Sequence, residues 1–108
     1  MGEARFRVEL NEPAWADLDE IYTYWAERGD AWRGKKYYFD LRETALAELT
    51  DPHRARRGRR LPSENYPNAR EILAFGIYRI IYEIDEAASR VDILRFWHAH
   101  RRDPHGEL

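Results

Sequence analysis

A chain of 108 residues with 44% hydrophobic and 35% charged side chains is sized for one domain, spanning 1–108, and is too apolar to remain disordered. It has no cysteine, which excludes disulfides and thiolate metal sites, and no apolar run near the roughly 18 residues of a membrane helix. The net charge of −2 is unevenly spread: Glu9 to Asp30 holds seven acids against Arg28 alone, whereas His53 to Arg60 holds five arginines and no acid. One acidic and one basic surface are therefore expected. The charged start, with Glu3, Arg5 and Arg7, has no signal-peptide core, and a cytoplasmic location is expected.

Arg5 to Leu10 alternates polar and apolar side chains, the two-residue period of a half-buried strand with Phe6, Val8 and Leu10 inward. Asn11 then stands as a helix cap, and Pro13 falls where the first turn tolerates proline. Trp15, Leu18, Tyr22 and Trp25, with Ile21 alongside, recur at helical steps and predict an apolar stripe. Asp17, Asp19 and Glu20 are expected on or near the outer face. Gly29 supplies the stop. Asp30 caps a second helix carrying Trp32, Tyr38, Leu41, Ala45 and Leu49, with Gly34 weakening its first turns and Asp51-Pro52 closing it. Trp15, Tyr22, Trp25, Trp32 and Tyr38 are expected in the core between hairpin and sheet.

Residues 53–69 read as an arginine-rich loop, broken by Gly58, Pro62, Asn65, Pro67 and Asn68. Three strands follow, beginning at Arg70, Tyr78 and Val91. Strict alternation assigns Tyr78, Ile80, Tyr82 and Ile84 to one face, opposite Arg79, Ile81 and Glu83. In the last strand it assigns Val91, Ile93, Arg95 and Trp97 to one face and Leu94, Phe96 and His98 to the other. Both faces carry apolar residues, so one face should be covered and the other half-covered. The fold class is α+β, in the order β-α-α-β-β-β: an N-terminal strand and a helical hairpin packed on a small antiparallel sheet. The position of the first strand within that sheet is not legible.

These pieces together resemble the RelE/ParE family of small toxins from prokaryotic type II toxin–antitoxin systems. The resemblance rests on Asp17-Leu18-Asp19-Glu20-Ile21 with Tyr24, and on Arg70-Glu71 opening a strand. It continues through Tyr78-Arg79-Ile80-Ile81-Tyr82, then Leu94-Arg95-Phe96-Trp97-His98, with Arg102-Asp103-Pro104 beyond. It implies a cognate antitoxin as partner, a toxin–antitoxin hetero-oligomer, and no cofactor. The family has one branch that inhibits DNA gyrase and another that cuts mRNA on the ribosome without a metal. In the nuclease branch the resemblance would assign catalysis to Arg70, Arg79, His98 and Arg101, which would activate the ribose hydroxyl and stabilise phosphorane-like charge. Ile72 stands where that branch often carries a second cation, and no tyrosine or phenylalanine follows Trp97. The helix-one pattern and the closing Leu94-Arg95-Phe96-Trp97-His98 resemble the gyrase-directed, ParE-like branch more closely.

Partner or target contact is expected from Arg54, Arg56, Arg57, Arg59 and Arg60, whose simpler reading is a solvated loop or one paired with the acidic first helix. Trp97 and Arg102 join that surface if the indole is exposed as an interface anchor. Arg79 has a structural alternative in an ion pair with Glu71 or Glu83 across neighbouring strands. His98 and His100, flanking Ala99, do not make a metal site by themselves.

Overall fold

The computed structural model describes residues 4–61 and 63–99. Its elements are β1 (Arg7–Leu10), α1 (Glu12–Glu27), α2 (Ala31–Leu49), α3 (Pro52–Ala55), β2 (Arg59–Arg60), β3 (Arg70–Ala74), β4 (Tyr78–Asp85) and β5 (Arg90–His98). The expected helical hairpin and closing meander are present. To these the arginine-rich stretch adds a helical turn and a two-residue strand. The Asp51 side chain starts that turn by accepting from the His53 amide at 3.0 Å.

The sheet order is β1-β5-β4-β3-β2. Every pairing is antiparallel except β1 with β5, which is parallel, because the chain leaves β1 through the helices and re-enters the sheet from its far edge. Main-chain bonds anchor β1 at both ends: the Phe6 amide donates to Thr50 O at 2.9 Å and the Asn11 amide to Ile93 O at 3.0 Å.

Asn11 does occupy the cap position of α1, yet its side chain makes no capping hydrogen bond; its carbonyl accepts from Ala14 and Trp15. The Asp30 side chain does cap α2, accepting from the Arg33 amide at 3.1 Å. Gly34 acts differently from the expected weakening of α2. A Cβ there would stand 2.7 Å from Tyr22 O, so glycine lets the two helices approach. The β3–β4 turn has positive φ at both central residues, Phe75 (54°) and Gly76 (69°), as a type I′ hairpin requires.

Two apolar clusters flank the sheet. The larger joins Ala14, Leu18, Leu41, Ala45 and Leu49 of the helices to Ile80, Tyr82, Val91, Ile93 and Phe96 of the sheet. The smaller lies on the opposite face, where Leu61 and Ala69 cover Ile81, Leu94 and Trp97, with Tyr66 at the side. Each fully buried aliphatic side chain of this kind contributes about 1.5–3 kcal/mol.

The division of β5 between the faces departs from strict alternation. Ile81 pairs with Arg95 and Tyr82 with Ile93, which leaves Leu94 as an extra residue in a β-bulge. The bulge moves Phe96 onto the face of Val91 and Ile93, and Trp97 onto that of Leu94. The helical aromatics also divide. Tyr22, Trp25 and Tyr38 are half-buried, whereas Trp15 is exposed and Trp32 is 72% exposed, contrary to a core role.

Candidate functional site

Beyond Leu10, β1 ends and the outer edge of β5 would be left bare; α1 crosses it there. Asp17, 4% exposed, caps this edge. Its carboxylate accepts from the Phe96 amide at 3.0 Å and from Arg95 Nε and Nη2 at 2.7 and 2.9 Å. Arg95 lies 5.1 Å over the Trp97 ring. Asp17 thus faces inward, not outward as its charge implies. The sequence carried a signal for this, since Asp17 falls three residues after Ala14 and four before Ile21, within the buried stripe.

Beside this lock, α1 and the end of β5 enclose a cleft of about 430 Å³ lined by Asp17, Glu20, Ile21, Tyr24, Tyr78, Phe96 and His98. Tyr78 lies at its back, its hydroxyl 3.5 Å from the Trp25 indole nitrogen, and burial pushes its phenol above the ordinary tyrosine range. His98 stands edge-on to Tyr78 at 5.5 Å and is exposed.

The basic residues expected to share a catalytic centre are separated. Arg70 pairs with Tyr82 and Arg79 with Leu73, three positions apart along β3 and therefore on opposite faces, about 10 Å apart along the strand. Arg70 Nη1 donates to Gly58 O at 2.8 Å, which fastens the turn after α3 to the sheet. In the same corner Tyr82 donates to Ala55 O at 2.6 Å, and burial pushes its phenol up to about 12. Arg79 lies 3.7 Å from Glu71, which also pairs with Arg59 at 3.2 Å, the cross-strand arrangement foreseen as the structural alternative. His98 is on the helix-facing side, opposite Tyr78 and four pairs along β4 from Arg70. Arg101 and Arg102 lie outside the described residues.

The expected basic surface of residues 54–60 is largely a set of ion pairs. Arg54 reaches Glu48 at 3.6 Å and Asp51 at 3.8 Å. Arg56 grips Glu86 with two bonds of 2.9 and 2.7 Å, which hold the Glu86 carboxyl below its usual range. These acids and Glu71 take the role considered for the first helix. Arg57 and Arg60 are exposed. Trp97 is wholly buried, which corrects its expected role as a surface anchor: the bulge at Leu94 turns its ring into the smaller cluster. Among the described residues no group of three His, Asp or Glu side chains is arranged to hold a metal, and no helix is long and apolar enough to cross a membrane.

Comparison with known proteins agrees with this architecture. No curated protein matches the chain significantly. The fold is similar to a chain of the RelBE2 toxin–antitoxin complex from Mycobacterium tuberculosis, with TM-score 0.65 and 23% identity over 87% of this chain and 98% of that one. It is similar to a chain of the chromosomal ParDE system from P. aeruginosa, with TM-score 0.67 and 22% identity over 89% and 98%. At these identities the likeness concerns the fold. Residues 8–103 match the family described as the ParE toxin of the type II toxin–antitoxin system parDE, and the chain belongs to that family.

Proposed function

We propose that the chain is the toxin of a two-protein pair, that a cognate antitoxin silences it, and that it arrests growth by binding DNA gyrase. Support for an antitoxin comes from family membership and from the toxin–antitoxin pairs to which its structural neighbours belong. Support for binding over catalysis comes from the separation of Arg70, Arg79 and His98. Cleavage of a phosphodiester needs a base, an acid and charge-stabilising cations within hydrogen-bond reach of one phosphate. Here Arg70 and Arg79 serve opposite faces of the sheet, one bonded to Gly58 and the other beside Glu71.

The reading is tested by supercoiling with purified gyrase and relaxed plasmid. Supercoiling should fall as free toxin is added and recover when the antitoxin is supplied. Full supercoiling at high molar excess, together with codon-phased cuts in translated messages by primer extension, would replace it with the ribosome-dependent endoribonuclease.

A further inference from the structure

The described structure contains a strip of aromatic contacts that starts in the core at Tyr78 and runs out to exposed rings at Tyr24, Phe75 and His98. Ring pairs run from Tyr24 to Trp25 (5.1 Å), Trp25 to Tyr37 (5.8 Å), Tyr37 to Tyr78 (5.3 Å) and Tyr78 to His98 (5.5 Å). Phe75 joins from the β3–β4 turn, 6.2 Å from Tyr37. Tyr24 is 48% and Phe75 51% exposed. Phe75 also holds a φ of 54°, a conformation that disfavours a bulky side chain and suits glycine or asparagine. A half-exposed ring gains too little packing to account for that choice, whereas a contact surface would account for it.

Acids outnumber cations beside the cleft, although Arg28 shares the adjoining groove. Glu20 lines the cleft, and Asp19, Glu20 and Glu27 line the adjoining groove of α1. Among the described residues none of these three carboxylates has a hydrogen bond or ion pair. Asp17 differs, because Arg95 already neutralises it. The strip already receives guanidinium groups: Arg28 lies 3.5 Å over the Tyr24 ring and Arg33 lies 4.8 Å over Trp25. In the inner cleft the exposed edge of His98, backed by the buried Tyr78, lies beside the unpaired Glu20.

We propose that this cleft is a docking site for a basic, amphipathic segment of a partner protein. An arginine or lysine of that segment enters beside Glu20 at the exposed rings of Tyr24 and His98, and its apolar flank rests toward Phe75. The proposal rests on the protein-binding reading above and gives the charge of the segment bound. A nucleic acid suits the same rings but not the same charge, since its phosphates would meet Asp19, Glu20 and Glu27.

The test is an NMR titration of the labelled full chain with two short helical peptides. Both carry leucines on one face; one has arginines beside them and the other glutamates. The arginine peptide should shift Tyr24, Tyr78 and His98, and its affinity should fall by about tenfold or more in Glu20→Lys, a substitution at an exposed helix position. Phe75→Asn should keep the fold and weaken the same binding. Equal binding of the glutamate peptide, stronger binding of an oligothymidylate at these residues, or undiminished affinity in E20K would overturn the proposal. So would concentration-dependent shifts at the cleft without peptide, which would assign it to a second copy of the chain. Supercoiling is read separately, so failure of the cleft and failure of the gyrase reading are distinguishable.

Discussion

Asp17 is a buried carboxylate that ties α1 to the edge of β5. It satisfies a sheet-edge amide and a largely buried guanidinium together, and removing one partner of such a pair strands the other. Asp17→Ala should cost about 3 kcal/mol in urea unfolding, and Asp17→Asn less, because an amide oxygen still accepts from Phe96. Tyr82 supplies a pH signature. The folded chain holds its phenol neutral up to about 12, whereas an unfolded tyrosine ionises near its ordinary value of 10. The native state therefore keeps the proton longer. This stabilisation, about 2–3 kcal/mol, is intact below pH 10 and lost as pH rises through 12. Comparing the stability of Tyr82→Phe with the parent across that window should expose the difference; parallel curves would contradict it.

Among the elements, the helical hairpin and the three long strands were legible because their apolar periods run uninterrupted over several turns or pairs. What periodicity could not reveal was the bulge at Leu94. One extra residue leaves the composition of β5 unchanged yet reverses the facing of Phe96 and Trp97. Trp32 departs from its expected core place for a related reason: helical spacing identifies a stripe but not where the partner surface ends, and Trp32 is left exposed at the start of α2. The parallel place of β1 is a long-range pairing with no local signature. Gly34 reads as a helix weakener in isolation, whereas its contact with Tyr22 makes it a packing requirement. Gly34→Ala should therefore destabilise by about 1–3 kcal/mol despite alanine's better helix propensity. A more stable variant in thermal or urea unfolding would show that the hairpin can open without loss.

At the scale of the whole molecule, the sheet keeps Arg70, Arg79 and His98 apart, while Arg59 and Arg79 share Glu71. The charge segregation evident in the sequence persists on α1, but most of the arginine-rich segment is paired with Glu48, Asp51, Glu71 and Glu86. Exposed pairs of this kind contribute about 0–1 kcal/mol each, so they shape the surface more than they hold the fold. The candidate site was only partly legible for the same reason: residue types were visible, but assignment to opposite faces depends on register. The proposed function requires that growth arrest proceed through binding and not through a shared nuclease centre. Its most direct test is the topoisomer distribution of a reporter plasmid after induction of the parent and of an Arg79→Ala/Arg101→Ala variant, which leaves the cleft untouched. The same loss of negative supercoiling is expected in both. Unchanged topology in the parent, with arrest abolished in the variant, would contradict it.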